Sequence, residues 1–575
     1  MPPATLHEAF AASAAQAPNC PLNFPGSKEQ LTLHELHIRA TATARGLVAA
    51  GVTPGDRVGV LSRNNADFLV GLFAAAAAGA AACPLPLPTS VSDLGGYTAR
   101  LSAIMSVARI GRVVVGARTE PTARRISAVR PGVEFLTAAA LTGSAGAGPD
   151  LAGLPRVAPD DVAVVQFTSG STSLPKGVLL SHANVLHGCA AICDGIAMTA
   201  DDRGANWLPL FHDMGLFGTL SALLKPIPMT VWTPSAFVKD PAAWLRDFAD
   251  RGCTIVAAPN FGYEALLDAV PADEVSGLDL SRWRVAFNGA EPVLPGSVER
   301  FVAHFAPAGF APAAMQPVYG MAEATLAVTF PPPGRPPVTA WVDRDRLAAG
   351  QVAEVPGGSG RARPLVALGR PVRAMELRVV DEAGAALAAD LVGEIEIRGA
   401  AVTRGYLAAD TVLADTGLAD TGQADTGQAD TGQAPVPRDG WLPTGDLGFV
   451  HRGDLYVTGR RKEMIIIRGE NYYPGDAEAA VRDLPGLHRR RCVAVADQAA
   501  DGAEIITVLG ETALRDPGAA DRLRAELHAA VCAALDLDRG RVQVHLVAPD
   551  ALPRTSSGKF RRSAARELAH EPIEK

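Results

Sequence analysis

The chain has 575 residues, of which 48% are hydrophobic and 20% are charged, and its formal net charge is −8. This length exceeds one ordinary hydrophobic core, so two or more domains are expected, and the composition is that of a globular rather than a disordered chain. An acidic chain lacks the basic surface that nucleic acid requires, so nucleic acid is excluded as a partner.

The cysteines and the N-terminus indicate the compartment. None of the seven cysteines stands in a Cys-x-x-Cys pair. Cys189 and Cys193 are four residues apart and could share a helix face, but buried thiols are favoured over a metal site there. The first residues lack the charged region and apolar core of a secretion signal. Together these features predict a cytoplasmic protein.

The first 150 residues alternate strand-like and helix-like patterns, which predicts α/β layering with parallel strands. Residues 56–61, for example, form a strand-like run before the polar stretch 62–65. Residues 68–83 are apolar enough to raise the question of a membrane span. Because this stretch is dominated by alanine and runs into prolines, a buried helix followed by a short strand is favoured, and no stable membrane span is expected.

A loop of small and hydroxylated residues lies between two β-type apolar runs, and Ser181 follows the second run as a predicted helix N-cap. Small residues let backbone N–H groups approach a phosphate closely, and a lysine adds positive charge. The P-loop pattern is not met, because Pro175 precedes the lysine and Gly177 follows it. Phosphate binding is favoured over a plain surface loop. The candidate residues are Thr168, Ser169, Gly170, Ser171, Thr172 and Lys176.

After about residue 330 the sequence no longer shows the alternating strand and helix patterns of the first part. A long connection over about 331–364 is rich in proline and glycine, and its length marks it as functional. Residues 375–381 and 393–399 have the pattern of hairpin strands, and the chain after residue 460 has the size of a small α+β domain.

A five-residue repeat occupies 410–434, where Asp-Thr recurs at positions 410, 415, 420, 425 and 430. This period fits neither helix nor strand, and the unit is too poor in large apolar side chains to bury a core. The repeat predicts a lengthened surface loop. Calcium binding by its aspartates is the alternative, but a spacing of five does not gather ligands as an EF-hand loop does.

Seven motifs in one order resemble the adenylate-forming superfamily of acyl-CoA synthetases, luciferases and peptide-synthetase adenylation domains. They lie at 164–178, 288–292, 319–324, 393–407, 440–446, 459–466 and 553–559. The resemblance implies an α/β fold: a large N-terminal domain of layered α/β subdomains with a distorted β-barrel portion, and a small mobile C-terminal α+β domain. The implied boundaries are 1–459 for the first domain, 460–462 for a hinge, and 463–575 for the second domain.

The resemblance also implies the reaction and its cofactors. ATP and Mg²⁺ would convert a carboxylic acid to an acyl-AMP with release of pyrophosphate. The loop 168–176 would hold the β- and γ-phosphates, and Glu323 with Thr168 would bind Mg²⁺. Tyr319 would stack on adenine, and Asp446 would accept hydrogen bonds from the ribose. The implied nucleotide-binding residues beyond the loop are Asn288, Gly289, Ala290, Glu291, Tyr319, Gly320, Met321, Asp446 and Arg460.

Lysine usage supports this reading, because the chain has only seven lysines and 46 arginines. Lys176, Lys462 and Lys559 nevertheless lie inside motifs, where a compact point charge meets a phosphate oxygen better than a guanidinium does. By resemblance, Lys559 is catalytic and stabilises the adenylation transition state. Lys462 matches the hinge about which the small domain rotates between half-reactions.

Residues 206–216 resemble fatty acyl-AMP ligases more closely than ordinary acyl-CoA synthetases, and His212 would be a catalytic residue near the acyl carboxylate. The insertion at about 331–364 resembles one thought to disfavour CoA by restricting domain motion. Its apolar side chains would pack on the N-terminal domain; they are Val338, Trp341, Val342 and Leu347. Such ligases pass a fatty acyl group to the phosphopantetheine of a carrier protein, here an acyl carrier protein or carrier domain in trans.

Two alternatives stay open. An acyl-CoA synthetase belongs to the same class of enzyme and would differ in forming a CoA thioester. A non-catalytic nucleotide-binding scaffold on the same fold is disfavoured, because Glu323, Lys559 and the loop 168–176 are intact.

Overall fold

The structure is a computed structural model that describes residues 4–88, 94–117, 119–130, 132–143, 151–168, 176–359, 361–407, 439–468, 470–499, 503–555 and 559–570. Internal contacts divide the chain into two compact units. The first unit comprises residues 1–337, 368–376 and 397–442, and the second comprises 338–367, 377–396 and 443–575.

A seven-stranded sheet in the first unit leads into the motifs at 288–292 and 319–324. Its order is β13-β12-β11-β9-β10-β1-β2, and all neighbours are parallel except β1 and β2. The strands are β1 (Pro21–Phe24), β2 (Glu29–Thr32), β9 (Gly204–Asn206), β10 (Met229–Val231), β11 (Ile255–Ala258), β12 (Val285–Asn288) and β13 (Met315–Pro317). Parallel strands bring their carboxyl ends to one edge of the sheet, where ligands bind in open α/β folds.

A six-stranded sheet has the order β6-β5-β3-β4-β7-β8, with only β7 and β8 antiparallel. The strands are β3 (Arg57–Leu61), β4 (Ala81–Pro84), β5 (Arg112–Val115), β6 (Glu134–Thr137), β7 (Val162–Thr168) and β8 (Lys176–Ser181). These sheets confirm the predicted α/β layering with parallel strands.

Helices connect and cover these strands. They are α1 (Leu6–Gln16), α2 (Leu33–Ala49), α3 (Ala66–Ala77), α4 (Leu94–Val107), α5 (Glu120–Val129), α6 (Ala138–Gly143), α7 (His182–Gly195), α8 (Asp213–Leu224), α9 (Pro234–Lys239), α10 (Pro241–Asp250), α11 (Asn260–Ala269) and α12 (Pro295–Phe305). N-cap side chains set the first residue of several of these helices. Ser181 caps α7 as predicted by accepting from the backbone N–H of Asn184, and Asp240 caps α10 ahead of a proline.

The alanine-rich stretch is the buried helix α3 followed by strand β4, as the sequence predicts. Asn65 caps α3 by accepting from the N–H of Phe68, and α3 lies in the interior of the first unit. Among the described residues, no helix is long and apolar enough to cross a membrane. Cys189 and Cys193 are buried free thiols, which confirms that prediction.

An aromatic core joins helices α10–α12 to strands β11–β13. Trp244 and Phe248 come from α10, Tyr263 from α11 and Phe301 from α12. Trp283 packs at the centre, and its ring centroid lies 4.8 Å from that of Phe248. A three-stranded sheet completes this unit, with the order β14 (Tyr319–Met321), β15 (Leu326–Phe330) and β18 (Arg370–Pro371).

The predicted insertion forms an antiparallel pair, β16 (Thr339–Asp343) and β17 (Ala362–Val366), with the short helix α13 (Arg344–Ala348) between them. Val342 and Leu347 are buried as predicted, but in a cluster with Phe449, Tyr456 and Tyr473. Val338 is exposed. Seven of the eight buried members of this cluster lie in the predicted N-terminal domain, and the eighth, Tyr473, lies in the predicted C-terminal domain.

A four-stranded sheet follows in the order β19 (Met375–Val380), β20 (Gly393–Gly399), β21 (Leu442–His451) and β22 (Asp454–Arg460), which confirms the predicted strands over 375–381 and 393–399. His451 in this region contacts two carboxylates, with its Nδ1 2.6 Å from Asp390 Oδ1 and its Nε2 2.8 Å from Glu354 Oε1. Partial burial lowers the pKa of His451, but these hydrogen bonds outweigh it and the net pKa is raised.

The last part of the second unit is the predicted small α+β fold. It contains the pair β23 (Ile465–Ile467) and β24 (Glu470–Tyr472), the sheet β25 (Cys492–Gln498), β26 (Glu504–Glu511) and β27 (Val542–Val547), and helices α14 (Pro474–Val481), α15 (Pro517–Leu535) and α16 (Arg562–His570). Arg562 ties this fold together by contacting Glu463, Glu478 and the carbonyl of Ala494.

The predicted boundary at 460–462 does not coincide with the division by contacts, which begins the last segment of the second unit at residue 443. The difference arises because β16, β17 and the cluster around Phe449 and Tyr456 pack with Tyr473. The hinge concerns motion and stays a prediction. The repeat 410–434 lies outside the described residues.

Candidate active site

Two predicted segments leave adjacent strands at the carboxyl edge of the seven-stranded sheet. Ala258, the last residue of β11, is opposite Asn288 at the end of β12. Asn288 is in turn opposite Pro317 at the end of β13. The segments 288–291 and 319–323 therefore begin side by side, at the edge where such sheets bind ligands.

Asn288 is fully buried and holds an unused acceptor. Its Nδ2 donates to Asn260 Oδ1 at 3.4 Å, whereas its Oδ1 has no hydrogen-bond partner among the described residues. An unsatisfied buried acceptor costs about 1–3 kcal/mol, so a bound donor would recover that free energy. Nearby, Glu291 Oε1 accepts from the N–H of Phe261 at 2.6 Å, which fixes the end of this segment against α11.

Close backbone approach explains the glycine in the Tyr319–Met321 strand. A Cβ at Gly320 would lie 1.9 Å from the carbonyl oxygen of Leu326, so no other residue fits without moving the backbone. Tyr319 is buried at the start of this strand. Thr325 then adopts a left-handed conformation with φ of 50°, which turns the chain back into β15.

Glu323 is held by a tyrosine that the sequence analysis left without a role. The Tyr406 hydroxyl donates to Glu323 Oε1 at 3.0 Å, and the N–H of Thr403 donates to the Glu323 carbonyl at 2.7 Å. Burial, followed by the charge of Glu323, raises the pKa of Tyr406 far above its ordinary value, so the phenol stays a donor. The Arg-Gly-Tyr-Leu motif at 404–407 is the sequence feature that could have indicated a role for Tyr406.

The same segment borders the candidate phosphate loop. Thr168 ends β7 opposite Lys176, which begins β8, so the two ends of the loop are paired. The N–H of Leu407 donates to the Gly177 carbonyl at 2.8 Å, and Tyr406 forms a β-bridge with Val178. Tyr406 thus connects Glu323 to the base of the loop. Ser169, Gly170, Ser171 and Thr172 lie outside the described residues.

His212 lies in the segment that follows strand β9 at the same edge of the sheet. It is the residue before helix α8, and its Nδ1 lies 2.6 Å from Asp213 Oδ1. The same oxygen accepts from the N–H of Met214 at 2.7 Å, which fixes the carboxylate. When Nδ1 carries a proton it donates to Asp213, and the ring then presents Nε2 to a ligand.

In the second unit, Asp446 and Arg460 are paired across β21 and β22. Arg460 Nε lies 3.1 Å from Asp446 Oδ1, and the two residues are opposite in register. Glu394 braces this turn: it accepts from the N–H of Gly445 at 3.2 Å and lies 3.1 Å from Arg461. Asp446 is buried, whereas Arg460 is exposed.

Lys559 and Lys462 also lie in the second unit. Two hydrogen bonds join Lys559 to Thr555. The N–H of Lys559 donates to Thr555 Oγ1 at 3.2 Å, and the N–H of Thr555 donates to the Lys559 carbonyl at 2.7 Å. The Arg554 guanidinium lies 4.3 Å from the centre of the Phe560 ring. Lys462 is exposed in the 3₁₀ turn Arg461–Glu463.

Comparison with known proteins identifies the family. The AMP-binding enzyme family model matches residues 10–407. The chain therefore belongs to the AMP-binding enzyme family, as the resemblance implied.

Individual relatives cover most of the chain. A putative acyl-CoA synthetase of Caulobacter vibrioides is 34% identical over 544 residues, covering 94% of this chain and 90% of the relative. The medium-chain-fatty-acid–[acyl-carrier-protein] ligase JamA of Moorena producens is 35% identical over 419 residues, covering 72% and 68%. A structure from a study of fatty acyl-adenylate ligases of E. coli and L. pneumophila superposes with a TM-score of 0.86 at 30% identity, covering 98% of this chain and 97% of that one.

Proposed function

We propose that this chain is a fatty acyl-AMP ligase. A carboxylate oxygen of the fatty acid attacks the α-phosphorus of ATP, the bond to the bridging oxygen breaks, and pyrophosphate leaves. The observation that carries the proposal is the placement of Glu323, through Tyr406, at the base of the loop that begins at Thr168 and ends at Lys176. A carboxylate and a lysine at a phosphate loop are what polyphosphate chemistry requires.

In this proposal the carboxyl edge of the sheet holds the nucleotide. The unsatisfied Asn288 Oδ1 accepts from the adenine amino group, and Tyr319 stacks on the base. Gly289, Ala290, Glu291, Gly320 and Met321 line the adenine site. Glu323, with Thr168, holds Mg²⁺, which neutralises phosphate charge when bound. Tyr406 keeps one Glu323 oxygen oriented, and the loop with Lys176 binds the β- and γ-phosphates.

His212 binds the acid carboxylate through Nε2 in this proposal. Asp213 accepts from Nδ1 and so fixes the orientation of the ring. A carboxylate held in line with the α-phosphorus reacts faster because its orientation has been fixed in advance.

The second unit contributes the remaining groups. Asp446, with Arg460 beside it, accepts from the ribose hydroxyls. Lys559 supplies a positive charge to the adenylation transition state, and Lys462 is the pivot for the second half-reaction. The acyl group then passes to the phosphopantetheine thiol of a carrier protein in trans, in a cytoplasmic setting that suits seven free thiols.

The second candidate is an acyl-CoA synthetase, and the name of the Caulobacter relative favours it. Both candidates form acyl-AMP and differ only in the thiol that accepts the acyl group.

The experiment is a panel of fatty and aryl acids with ATP and Mg²⁺, scored for acyl-AMP with no thiol, with CoA, and with a phosphopantetheinylated carrier protein. Glu323→Gln should abolish acyl-AMP. Glu376→Gln, which disrupts only the exposed pair with Arg398, should not. Acyl-AMP from no acid would refute the proposal, and efficient acyl-CoA formation would favour the second candidate.

A further inference from the structure

Asn64 makes three hydrogen bonds to backbone groups more than 140 positions away, two in the segment after β9 and one after β10. It lies in the turn between β3 and α3 and is 5% exposed. Its Nδ2 donates to the carbonyls of Leu208 and Trp232, both at 2.8 Å, and its Oδ1 accepts from the N–H of Leu210 at 3.0 Å. One side chain from the six-stranded sheet therefore fixes the backbone beyond strands β9 and β10 of the seven-stranded sheet.

A second amide holds the same segment from another strand. Gln166 on β7 is buried, and its Nε2 donates to the carbonyl of Phe211 at 2.8 Å. Asn206 adds a local pair with Leu208, in which each residue donates to the other at 3.0 Å. Side-chain amides thus hold the backbone at Leu208, Leu210 and Phe211.

This segment is irregular, so such contacts decide where it lies. Strand β9 ends at Asn206 and helix α8 begins at Asp213. Between them, the sheet and helix ladders do not fix the backbone, and His212 is the last residue before the helix. The position of the imidazole therefore depends on the amides of Asn64 and Gln166.

We propose that Asn64, with Gln166 as a second arm, is a positioning residue that fixes His212 toward the carboxylate of the acid. The proposal rests on the proposed function, because it concerns the acid that His212 binds. Nothing in it requires Asn64 to touch substrate. Its loss should shift the segment, and a displacement of about 1 Å at a reacting group lowers rate by on the order of 10²-fold.

The test compares Asn64→Ala with Thr254→Val in the full chain. Thr254 is also buried and polar, and its Oγ1 donates to Asp202 Oδ1 at 2.8 Å, but it lies at the opposite edge of the same sheet, just before β11. Asn64→Ala should lower kcat/KM for the fatty acid by on the order of 10²-fold and leave the KM for ATP within about twofold. Thr254→Val should change neither kinetic constant despite a comparable loss of Tm.

A double-mutant cycle with His212→Ala separates positioning from general destabilisation. In the His212→Ala background, Asn64→Ala should cost less than about twofold, because the group it positions is gone. Gln166→Leu keeps the apolar packing of β7 and provides the same cycle if Asn64→Ala does not fold.

The outcomes are distinguishable. The positioning role would be overturned if the losses of kcat/KM in the two single variants multiplied in the double variant. It would also be overturned if Asn64→Ala had no larger kinetic effect than Thr254→Val. Either result would leave acyl-AMP formation by the wild type standing. If the wild type forms no acyl-AMP from any acid, the proposed function fails, and this proposal fails with it.

Discussion

Replacing Arg363 with methionine should loosen the β16–β17 hairpin within its own unit. Arg363 Nε lies 2.6 Å from Asp476 Oδ1, its Nη2 donates to the Thr458 carbonyl at 3.0 Å, and its guanidinium carbon lies 4.3 Å from the centre of the Tyr473 ring. The paired side chains are 9% and 8% exposed. The pair is therefore almost completely removed from water.

The magnitude follows from that burial. Removing one partner of a buried ion pair costs about 3–5 kcal/mol, because the other charge is left uncompensated. Burial raises the pKa of Asp476, and the attraction of Arg363 opposes that rise. A carboxyl group with a raised pKa binds its proton more tightly in the folded state. The penalty in Arg363→Met is therefore absent where Asp476 is protonated in both states and grows as pH rises through the raised pKa.

Hydrogen exchange read by mass spectrometry is the assay, because a chain of two units has no single unfolding free energy. Peptides covering 362–366 and 474–481 should lose protection by about 10²- to 10³-fold at neutral pH, since each 1.4 kcal/mol is tenfold. The matched control is Arg361→Met, which removes a pair with Asp345 that is 72% and 60% exposed. Equal protection in the two variants would refute the reasoning.

The double change Arg363→Met with Asp476→Leu should restore most of the protection. A buried ion pair replaced by apolar side chains is often neutral or stabilising, and Arg363 Nη1 has no hydrogen-bond partner among the described residues. Failure to recover would mean that packing on Tyr473, rather than the ion pair, holds the hairpin.

Other predictions use simpler measurements. Lys559→Ala should lower acyl-AMP formation by on the order of 10²–10³-fold with an unchanged Tm, and near-normal adenylation would contradict its role. Deleting 415–434 should leave Tm and adenylation within error, because long surface insertions cost little closure entropy; a large loss would show that the repeat docks. If the insertion restricts CoA use, Arg363→Met should raise the acyl-CoA yield but not the adenylation rate, and an unchanged yield would count against the restriction. Protection around His451 should be full below pH 6.5 and fall as pH rises through its raised pKa; His451→Gln should remove that dependence.

The sequence predicted the elements whose signals are local. Residues 57–61 form a strand because apolar residues run between turn formers. Ser181 caps a helix because its hydroxyl accepts from the backbone N–H of Asn184, only three residues further along the chain. The buried character of α3 followed from its uniform alanine and apolar content.

Contacts between distant residues were not predictable in this way. Tyr406 and Glu323 are 83 positions apart, and Asn64 and Leu208 are 144 apart. No periodicity relates such residues, and only the packed sheets bring them together. The same limit explains the insertion: its apolar side chains predicted burial, but not that Tyr473 would be part of the surface they cover.

The anchoring of the two flanks of the repeat has a practical consequence for labelling. On one side, Leu407 is bonded to Gly177 in strand β8, and on the other, Trp441 lies under the guanidinium of Arg398 at 4.5 Å. All four residues belong to the first unit. A protease site or a fluorescent tag placed between positions 415 and 434 would thus leave both attachments in place. Spectroscopic reporters for the enzyme can be introduced there without opening either sheet.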